Sequence, residues 1–331
     1  MSKIFTQKIY DKSWNEVEKE WDDVFNSFSY NRIFQSPKVK KIWWKYFGKD
    51  NLYKILVITY SNNKLISPLK VQEKTCSFIG STDLFDYQDL IYSNYQDIDL
   101  GLEKLVDFIS NDLSVEELIL NSIPDNSPTI KKMSKYLEQN NWQVDLTEED
   151  VSPRISLPST FDEYLSSLSK KNRHEIRRKL RRLDKVKDVE EYEFSKYQDI
   201  KDNLDDFFKL LRMSSGEKKE FMNLSRENFF RDLSLELSLQ NQTRLRFLDI
   251  ENKRVATSLS FVTKGTKYLY NSGYDPEYRD LSVGVLNHIF AIKNSISEKN
   301  KVFDFMRGDE VYKYRLGVVN ETISKLIAHK R

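Results

Sequence analysis

The sequence predicts an α/β protein that contains two copies of one supersecondary plan. In residues 1–150 the hydrophobic periodicity predicts strands and helices in the order βααβββ-αβαβ, and the second half repeats this order. A displacement of 189 residues places Asn63-Lys64 on Asn252-Lys253 and Phe85-Asp86 on Tyr274-Asp275. A chain of 331 residues is long enough for about two domains at ~150 residues each. We therefore expect one copy of the plan in each domain.

The composition excludes several classes of protein. The chain carries 53 basic and 51 acidic residues, so no global field favours nucleic acid. No apolar run approaches the ~18 residues of a membrane span, and the polar first residues do not resemble a signal peptide. One cysteine and three scattered histidines cannot form an internal disulfide or a cysteine/histidine metal site. We expect a reduced, cytoplasmic protein without a metal, and no histidine has a visible catalytic partner.

The first half begins with a strand, two helices and a hairpin. Ser36-Pro37 places proline at the first helical position, where the helix needs no N–H donor. The turn Ser61-Asn62-Asn63 joins two strands rich in β-branched and aromatic residues. The predicted elements are strands at Lys3–Tyr10, Tyr53–Tyr60, Lys64–Gln72, Ser77–Ile79 and Asp89–Tyr92, helices at Trp14–Phe28 and Ser36–Phe47, and then helix, strand, helix and strand at about 98–112, 116–121, 127–139 and 142–147.

A linker and a capped helix precede the second copy. Glu148–Pro158 contains two prolines and three acidic residues, which is typical of a linker. Thr160 and Glu163 form a capping box that predicts a helix start, and Ser169 predicts a break and restart. The remaining predicted elements are strands at Val189–Phe194, Arg244–Ile250, Arg254–Thr263, Lys267–Tyr274, Val302–Phe305 and Thr322–Ala328, and helices at Leu204–Met213, Ser225–Leu239 and Val283–Ile296.

The loop between the strand Lys267–Tyr274 and the next helix predicts an anion site. A helix start presents unpaired backbone N–H groups and the positive end of the helix dipole, which suit a phosphate or pyrophosphate. Arg279 adds a full charge, Ser282 is the expected N-cap, and Gly284 permits close approach of backbone and ligand. Arg279-x-x-Ser282-x-Gly284 is therefore interpreted as an anion cradle. The alternative is an ordinary strand-to-helix turn with a surface arginine.

This motif resembles the Gln/Arg-x-x-Gly-x-Gly/Ala of the GNAT acyltransferase superfamily, which holds the coenzyme A pyrophosphate; Ser282 replaces the first glycine. The segments FDEYLSSLSKKNRHEIRRKLRRL, SGYDPEYRDLSVG and FDFMRGDEVYKYR resemble one GNAT branch, the acetyltransferase domain named after the CelD proteins of cellulose biosynthesis. That branch is similar to Fem-type peptidyltransferases, which carry two GNAT-like folds. The resemblance, over residues 155–331, implies tandem GNAT-like folds with mixed, mostly antiparallel central sheets flanked by helices.

The resemblance also implies a division of labour between two domains. Residues 1–150 would form a GNAT-like domain that lacks the donor loop, and residues 151–331 would form the acyltransferase domain. The donor would be acyl-coenzyme A, with acetyl-coenzyme A most expected, and no metal would be needed. The implied donor contacts are Asn271, Ser272 and Gly273 on the strand, Arg279 in the loop, and Ser282, Val283, Gly284 and Val285 at the helix start.

Acyl transfer to an amine requires a proton acceptor, a donor to the carbonyl oxygen and an acid for the leaving group. By the resemblance, the backbone near Asn271–Gly273 supplies an N–H to the carbonyl oxygen and Tyr312 is the acid. Lys313 stabilises the oxyanion as the lysine of Fem proteins does. Asp304 and Glu310 are candidate bases, although surface or capping roles fit them equally well.

A loop in the first half supplies a candidate acceptor site. The resembling family carries an Asp-Tyr-x-Asp stretch at this position, which here is Asp86, Tyr87 and Asp89. These side chains would meet an acceptor amine or a sugar hydroxyl. An aspartate-capped turn explains them equally well.

A basic helix is predicted at residues 170–187, with ten basic residues and two acidic ones. Arg173 and Arg177 lie in one i, i+4 row beside its apolar face. Three interpretations stay open. They are a solvated surface, a site for a phosphate-rich ligand such as coenzyme A, a nucleotide sugar or tRNA, and, less favoured, an anionic membrane surface.

The favoured function is N-acyl transfer from acyl-coenzyme A to an amine on a sugar or cell-envelope polysaccharide precursor. The alternative enzyme is a Fem-like transferase that uses aminoacyl-tRNA. An alternative of another class is a binding module that has lost catalysis and uses the basic helix 170–187. The oligomeric state is left open by the sequence.

Overall fold

The computed structural model describes residues 8–49 and 51–331, so the predicted strand Lys3–Tyr10 lies partly outside the described residues. Contacts divide the chain into two compact units. The first comprises the described residues up to Val151 together with Glu321–Arg331, and the second comprises Ser152–Asn320. The sequence places residues 321–331 in the second domain, whereas in the structure their contacts belong to the first unit.

Strands and helices follow one another in the predicted order, except for one short helix at Gly216–Phe221 that was not predicted. The strands are β1 (Lys8–Lys12), β2 (Leu52–Tyr60), β3 (Asn63–Gln72), β4 (Thr75–Phe78), β5 (Ile91–Tyr92), β6 (Glu117–Pro124), β7 (Trp142–Ser156), β8 (Val189–Phe194), β9 (Thr243–Ile250), β10 (Lys253–Thr263), β11 (Thr266–Tyr274), β12 (Val302–Asp304) and β13 (Val319–Lys330). The α-helices are α1 (Trp14–Ser27), α2 (Pro37–Phe47), α3 (Ile98–Asn111), α4 (Ser134–Gln139), α5 (Phe161–Ser167), α6 (Lys170–Leu183), α7 (Tyr197–Ser214), α8 (Gly216–Phe221), α9 (Leu224–Ser238), α10 (Val283–Ser297) and α11 (Val311–Arg315). Short 3₁₀ helices cover Ile33–Gln35 and Pro276–Leu281, and a π-helical turn covers Thr129–Met133.

The two units have the same strand arrangement. Hydrogen-bonded strands follow the order β1-β2-β3-β4-β6-β13 in the first unit and β8-β9-β10-β11-β12-β7 in the second, and β5 pairs with β3. Neighbours are antiparallel except β4/β6 and β11/β12, which are parallel. The predicted fold class of mixed, mostly antiparallel sheets with flanking helices is confirmed, and the shared arrangement supports an internal duplication.

The last strand joins the first unit because its apolar residues are buried there. Leu326 pairs with Leu120 and Ile327 with Ile119 across the β13/β6 ladder. Leu326 and Ala328 are completely buried in the hydrophobic core of that unit, which also contains residues of β2 and α3. Burial of these side chains favours this location for the chain end.

The predicted linker Glu148–Pro158 is wrong over most of its length, since β7 runs without a break from Trp142 to Ser156. Pro153 has no N–H, but its carbonyl accepts a hydrogen bond of 2.9 Å from the amide of Phe305. The acidic run is also used, because a carboxylate oxygen of Glu149 accepts from the amide of Ser122 at 2.6 Å. The proline and the acids therefore belong to a strand in which Pro153 takes part through its carbonyl and needs no N–H.

Candidate active site

Strands β11 and β12 of the second unit separate after a short ladder. Their parallel pairing covers only Thr266↔Val302, Lys267↔Phe303 and Tyr268↔Asp304. Strand β11 continues to Tyr274, and its register with β10 shifts opposite Leu259/Ser260, which is a β-bulge. The segments Leu269–Tyr274 and Phe305–Gly308 therefore diverge, and we call this opening the strand fork.

The β11 side of the strand fork carries the three predicted strand contacts. The amide of Ser272 donates to the side-chain oxygen of Asn271 at 2.9 Å. A Cβ atom at Gly273 would lie 2.5 Å from the backbone of Leu211 in α7, so glycine is needed here for close helix packing. These observations explain the residue types, and the predicted role of this backbone towards a donor carbonyl stays a prediction.

The start of α10 has the geometry of an anion cradle. The amide of Ser282 donates to the carbonyl of Arg279 at 2.9 Å, and the first helical bond runs from Leu286 to Ser282 at 3.0 Å. Between them, the backbone amides of 283–285 have no hydrogen-bond acceptor in the described part of the chain. The side chain of Arg279 is exposed and has no ion-pair partner among the described residues. Unsatisfied amides and a nearby guanidinium suit a phosphate group.

Ser282 occupies the N-cap position, but the prediction that its side chain caps the helix is wrong. Its φ is +59°, in the left-handed region, whereas a capping serine has an extended backbone. Its hydroxyl instead accepts a hydrogen bond of 2.6 Å from the ammonium of Lys179 in α6. This contact ties the basic helix to the cradle, a connection that sequence reasoning missed. Gly284 packs closely on Tyr274, because a Cβ there would lie 3.2 Å from the tyrosine ring.

Asp304 lies at the end of β12 and is 1% exposed. One of its carboxylate oxygens accepts a hydrogen bond of 2.8 Å from the amide of Met306. Met306 and Gly308 both have positive φ values, +61° and +116°, so the chain turns sharply here. Through this hydrogen bond Asp304 stabilises the turn. Its predicted role as a base stays a prediction.

Lys313 is 2% exposed and stabilises the same turn through its side chain. Its ammonium donates to the carbonyls of Met306, Arg307 and Gly308 at 3.3, 3.0 and 3.1 Å. It also forms an ion pair of 2.8 Å with Glu310, the other candidate base. Because an ammonium has three N–H donors, these acceptors occupy Lys313 fully in this state.

Tyr312 stacks on a histidine that sequence analysis had no reason to select. Its ring centroid lies 5.5 Å from that of His288, with an interplanar angle of 19°, and 6.4 Å from Phe305. Burial, and secondarily the charge of Glu310, raise the pKa of Tyr312 above its ordinary value. The phenol therefore keeps its proton, as an acid must, and its hydroxyl has no hydrogen-bond partner among residues 8–49 and 51–331.

His288 is 5% exposed, and its Nδ1 atom is buried without a partner in the described chain. Burial first, and then the charges of Lys218 and Lys313, lower the pKa of His288 to about 3. The imidazole is therefore neutral near pH 7. It presents a rigid, uncharged surface under the Tyr312 ring.

Lys218 lies in α8, a six-residue helix that the sequence pattern did not predict. The hydroxyl of Ser215 caps this helix by accepting from the amide of Lys218 at 3.2 Å. The lysine ammonium donates to the carbonyl of Ser272 at the strand fork. Burial is the main cause that lowers the pKa of Lys218, while Glu310 opposes the shift. In the sequence it is one of two adjacent lysines, and only the fold distinguishes it from Lys219.

The two predicted arginines of α6 differ in their contacts. Arg173 donates to the carbonyl of Ser166 at 3.0 Å, which joins α6 to the end of α5. The side chain of Arg177 is exposed and has no partner among the described residues. At the start of the helix a cavity of about 820 Å³ is lined by Lys170, Lys171, Asn172, His174, Glu175 and Arg315. Basic groups are thus accessible on α6, the helix that contacts the cradle through Lys179.

The three acceptor candidates lie in the first unit, and two of them are buried. Tyr87 is 1% exposed and packs under the guanidinium of Arg32, 4.0 Å from the ring centre. Asp89 accepts from the amide of Leu90 at 2.7 Å and from the hydroxyl of Thr129, and burial raises its pKa to about 6. Asp86 is partly exposed. A ligand can reach Asp86 more easily than the other two.

No group of three or more histidine, cysteine, aspartate or glutamate side chains in the part of the chain that the structure describes is arranged to hold a metal ion. None of the helices it contains combines the length and apolar character that crossing a bilayer requires.

A protein-family comparison identifies the region that contains this site. Residues 170–314 match the family model Acetyltransf_6, described as an acetyltransferase (GNAT) domain. The matched segment includes α6, the cradle, the strand fork and the turn held by Lys313. No curated protein matches the chain. The comparisons do not bear on the CelD-like branch, which stays a prediction.

Solved structures resemble the fold over almost the whole chain at low sequence identity. A crystal structure of FemX has a TM-score of 0.65 and 11% identity, and the match covers 96% of each chain. The C-terminal domain of a putative lysylphosphatidylglycerol synthetase from Agrobacterium fabrum has a TM-score of 0.58 and 10% identity, with 96% of this chain and 93% of that chain covered. A tandem GNAT protein from the clavulanic acid biosynthesis pathway has a TM-score of 0.52 and 8% identity, with 97% and 98% covered. These likenesses show a tandem GNAT-like fold.

Proposed function

We propose that this protein is an N-acyltransferase that moves an acyl group from acyl-coenzyme A to an amine. The observation that carries the proposal is the start of α10, where three amides without acceptors in the described chain lie beside Arg279. A pyrophosphate fits this arrangement because it accepts several N–H bonds and carries negative charge. The GNAT domain match over residues 170–314 supports a thioester donor.

The strand fork provides the place for the chemistry. The amine nitrogen attacks the thioester carbonyl carbon, the carbonyl oxygen takes the electron pair, and the intermediate then expels the thiolate. Tyr312, which burial keeps protonated, gives its proton to that thiolate. Asp304 and Glu310 are the two candidate bases that the sequence predicts on either side of this turn, and we assign one of them to accept the amine proton.

The acceptor class rests on the resemblance of the sequence. We assign an amino group on a sugar or cell-envelope polysaccharide precursor, which a cytoplasmic enzyme would modify before export. In the first unit, partly exposed Asp86 is the acceptor contact that a ligand reaches, while Tyr87 and Asp89 support its loop from inside the unit.

Calorimetric titration with coenzyme A and acetyl-coenzyme A tests the donor. We expect saturable binding by the wild-type chain and none by Gly284→Glu, which places a carboxylate where the pyrophosphate lies. Gly284→Ala is the matched control, because its Cβ meets the same Tyr274 ring at 3.2 Å without adding charge. Failure of the wild-type chain to bind either compound at millimolar concentration contradicts the proposed function.

A second candidate function is transfer from aminoacyl-tRNA. The observation that favours it is the contact between Lys179 and Ser282, which extends the cradle into a helix with exposed basic side chains. A chain that binds tRNA and not coenzyme A supports this reading. A chain that binds a polyanion but transfers nothing supports the third candidate, a binding module without catalysis.

A further inference from the structure

The edge of β11 at the strand fork is closed by side chains rather than by a neighbouring strand. Pairing with β12 ends at Tyr268, four residues before Ser272. At Ser272 the amide donates to Asn271 and the carbonyl accepts from Lys218. A backbone carbonyl left by one strand is thus satisfied by a cation from another element. The ammonium of Lys218 therefore lies at the strand that the proposed function assigns to the thioester carbonyl.

Lys218 keeps hydrogen-bonding capacity in this position. One of its three N–H donors is used by Ser272, and Nζ has no further hydrogen bond or ion pair in the described part of the chain. Its backbone is fixed by the Ser215 cap of α8. Burial lowers its pKa, and the charge of Glu310 offsets only part of this shift. Such a cation is a stronger electrostatic donor than a solvated one.

Lys313 is less suited to the same task. Three loop carbonyls and Glu310 occupy its ammonium, and it is almost completely buried. Turning it towards a developing oxyanion would release the turn after β12. Lys218 requires no such rearrangement, because two of its donors are unassigned.

We propose that Lys218 stabilises the oxyanion of the tetrahedral intermediate, and that Lys313 holds the loop that carries Tyr312. When the amine nitrogen attacks the thioester carbon, the π electrons move to oxygen, and a Lys218 N–H donates to that oxygen without transferring its proton. The carbonyl then re-forms and the carbon–sulfur bond breaks. The thiolate takes the Tyr312 proton. The amine proton passes to the base assigned above, Asp304 or Glu310, and from that base through solvent to Tyr312. This inference rests on the proposed function and adds a residue to its site.

The carbonyl stretching frequency of bound acetyl-coenzyme A tests the inference without an acceptor. A cation beside the carbonyl oxygen polarises the bond and lowers its frequency. With acetyl-coenzyme A labelled with ¹³C at the carbonyl, difference infrared spectra should show a lowered frequency for the wild-type complex. Lys218→Met should return it towards the value of the free thioester. Lys219→Met, on the exposed neighbouring lysine, is the matched control and should match the wild-type chain.

Turnover gives a second readout. Slow hydrolysis of acetyl-coenzyme A passes through the same oxyanion, and thiol release should fall ~10²–10³-fold in Lys218→Met, the range for loss of one oxyanion donor. Coenzyme A affinity should stay within about threefold, since Lys218 is assigned to the transition state and not to the pyrophosphate. Lys218→Arg keeps a charged donor and should retain most of the frequency shift.

The outcomes separate two failures. If calorimetry shows no coenzyme A binding by the wild-type chain, the proposed function fails and this inference fails with it. If the wild-type chain binds but Lys218→Met leaves the carbonyl frequency and the hydrolysis rate unchanged, only the role of Lys218 is overturned. A fall in rate with an equal fall in coenzyme A affinity also overturns it, because that pattern indicates a positioning role. If Lys218→Met does not fold, a folded Lys218→Arg chain with the frequency of the free thioester overturns the inference.

Discussion

Helix α3 in the first unit and helix α10 in the second both begin after a residue with positive φ, Asp97 at +52° and Ser282 at +59°. In both cases the side chain at this position makes no capping hydrogen bond. The carbonyl of that residue accepts the first helical bond, from the amide of Leu100 three residues later in α3 and from the amide of Leu286 four residues later in α10, both at 3.0 Å. The two helix starts therefore share the left-handed residue and differ in the span of this bond.

The two starts differ in charge. In α3, Asp97 brings its own carboxylate to the helix start and Asp99 adds a second in the first turn, where it pairs with Lys132 at 2.5 Å. In α10 the first turn holds no acid, and Arg279 precedes it. Three residues before Asp97 the chain has Asn94 instead of an arginine. One helix start is already neutralised by its own side chains, and the other is open to an external anion.

The conformation of the helix start and its capacity to bind an anion depend on different features of the chain. Both units have a left-handed residue before the helix, which is a property of the backbone. The anion site depends on side chains that one copy has and the other lacks. The expectation that only the second copy binds a donor stays a prediction, and substitutions at matched positions in the two units can test it.

The largest expected effect comes from a comparison of two tyrosines, Tyr312 in α11 and Tyr136 in α4, helices that come after β12 and β6 in the shared order of elements. Tyr312→Phe should lower the transfer rate ~10²–10⁴-fold, because it removes the proposed acid and keeps the ring that stacks on His288. Tyr136→Phe is the control: its hydroxyl donates to Asp99 at 3.1 Å, and burial raises its pKa to about 12. It should leave the rate unchanged.

Thiol release with an active acceptor and melting temperature are measured for both variants. If Tyr312→Phe melts early but turns over normally, Tyr312 is a packing residue and the proposed mechanism loses its acid. If both variants lose the rate equally, the contrast between the units is wrong.

The fold was largely predictable from the sequence because hydrophobic periodicity and turn residues report on local structure. The hairpin turns near Asn63 and Asn252, the capping box at Thr160 and the restart at Ser169 all appear in the structure. The exchange of the last strand was not predictable. The alternation of Leu326 and Ala328 predicts a strand with one buried face, and such a strand fits the sheet of either unit. Which sheet it joins depends on contacts with residues far away in the sequence.

The site was predictable only where a residue type has a local reason. Arg279 and Gly284 belong to a spaced motif, so the sequence alone nominates them as candidate site residues. Lys218 and His288 are candidates only because they contact residues far away in sequence, namely Ser272 and Tyr312. No local pattern distinguishes such residues from other lysines and buried side chains. The same limit hid the second role of Lys313, because its three carbonyl partners exist only when the turn after β12 has formed.

A smaller effect, on coenzyme A affinity, is expected when the N-cap residue of α3 in the first unit replaces that of α10 in the second. Ser282→Asp copies the charge of Asp97 into the second unit and should weaken coenzyme A binding ~100-fold. The new carboxylate and the pyrophosphate are both negative, and bringing like charges together costs several kcal/mol. The ammonium of Lys179 offsets part of this cost. A 100-fold loss of affinity corresponds to about 2.8 kcal/mol. The reverse change, Asp97→Ser, should create no binding, since the first unit has no arginine three residues earlier. Calorimetry on both variants decides, and tight binding by Ser282→Asp would show that charge at the cap does not distinguish the units.

The smallest expected effect concerns stability and compares glycine at the two left-handed positions. Glycine relieves the strain of a positive φ, so Asp97→Gly should change the free energy of unfolding by no more than about 1 kcal/mol, on the stabilising side. Ser282→Gly gains the same relief but loses the hydroxyl that accepts from Lys179 at 2.6 Å. Because that bond involves a charged donor that is partly exposed, we expect it to contribute about 1 kcal/mol. The free energy of unfolding of Ser282→Gly should therefore be lower than that of Asp97→Gly by about 1 kcal/mol.

A double-mutant cycle of Ser282→Gly with Lys179→Met, measured by urea unfolding, should give the same value as the coupling energy between the two side chains. A coupling energy of zero would mean that α6 is not tied to the cradle through this bond, and that the two helix starts differ in charge alone.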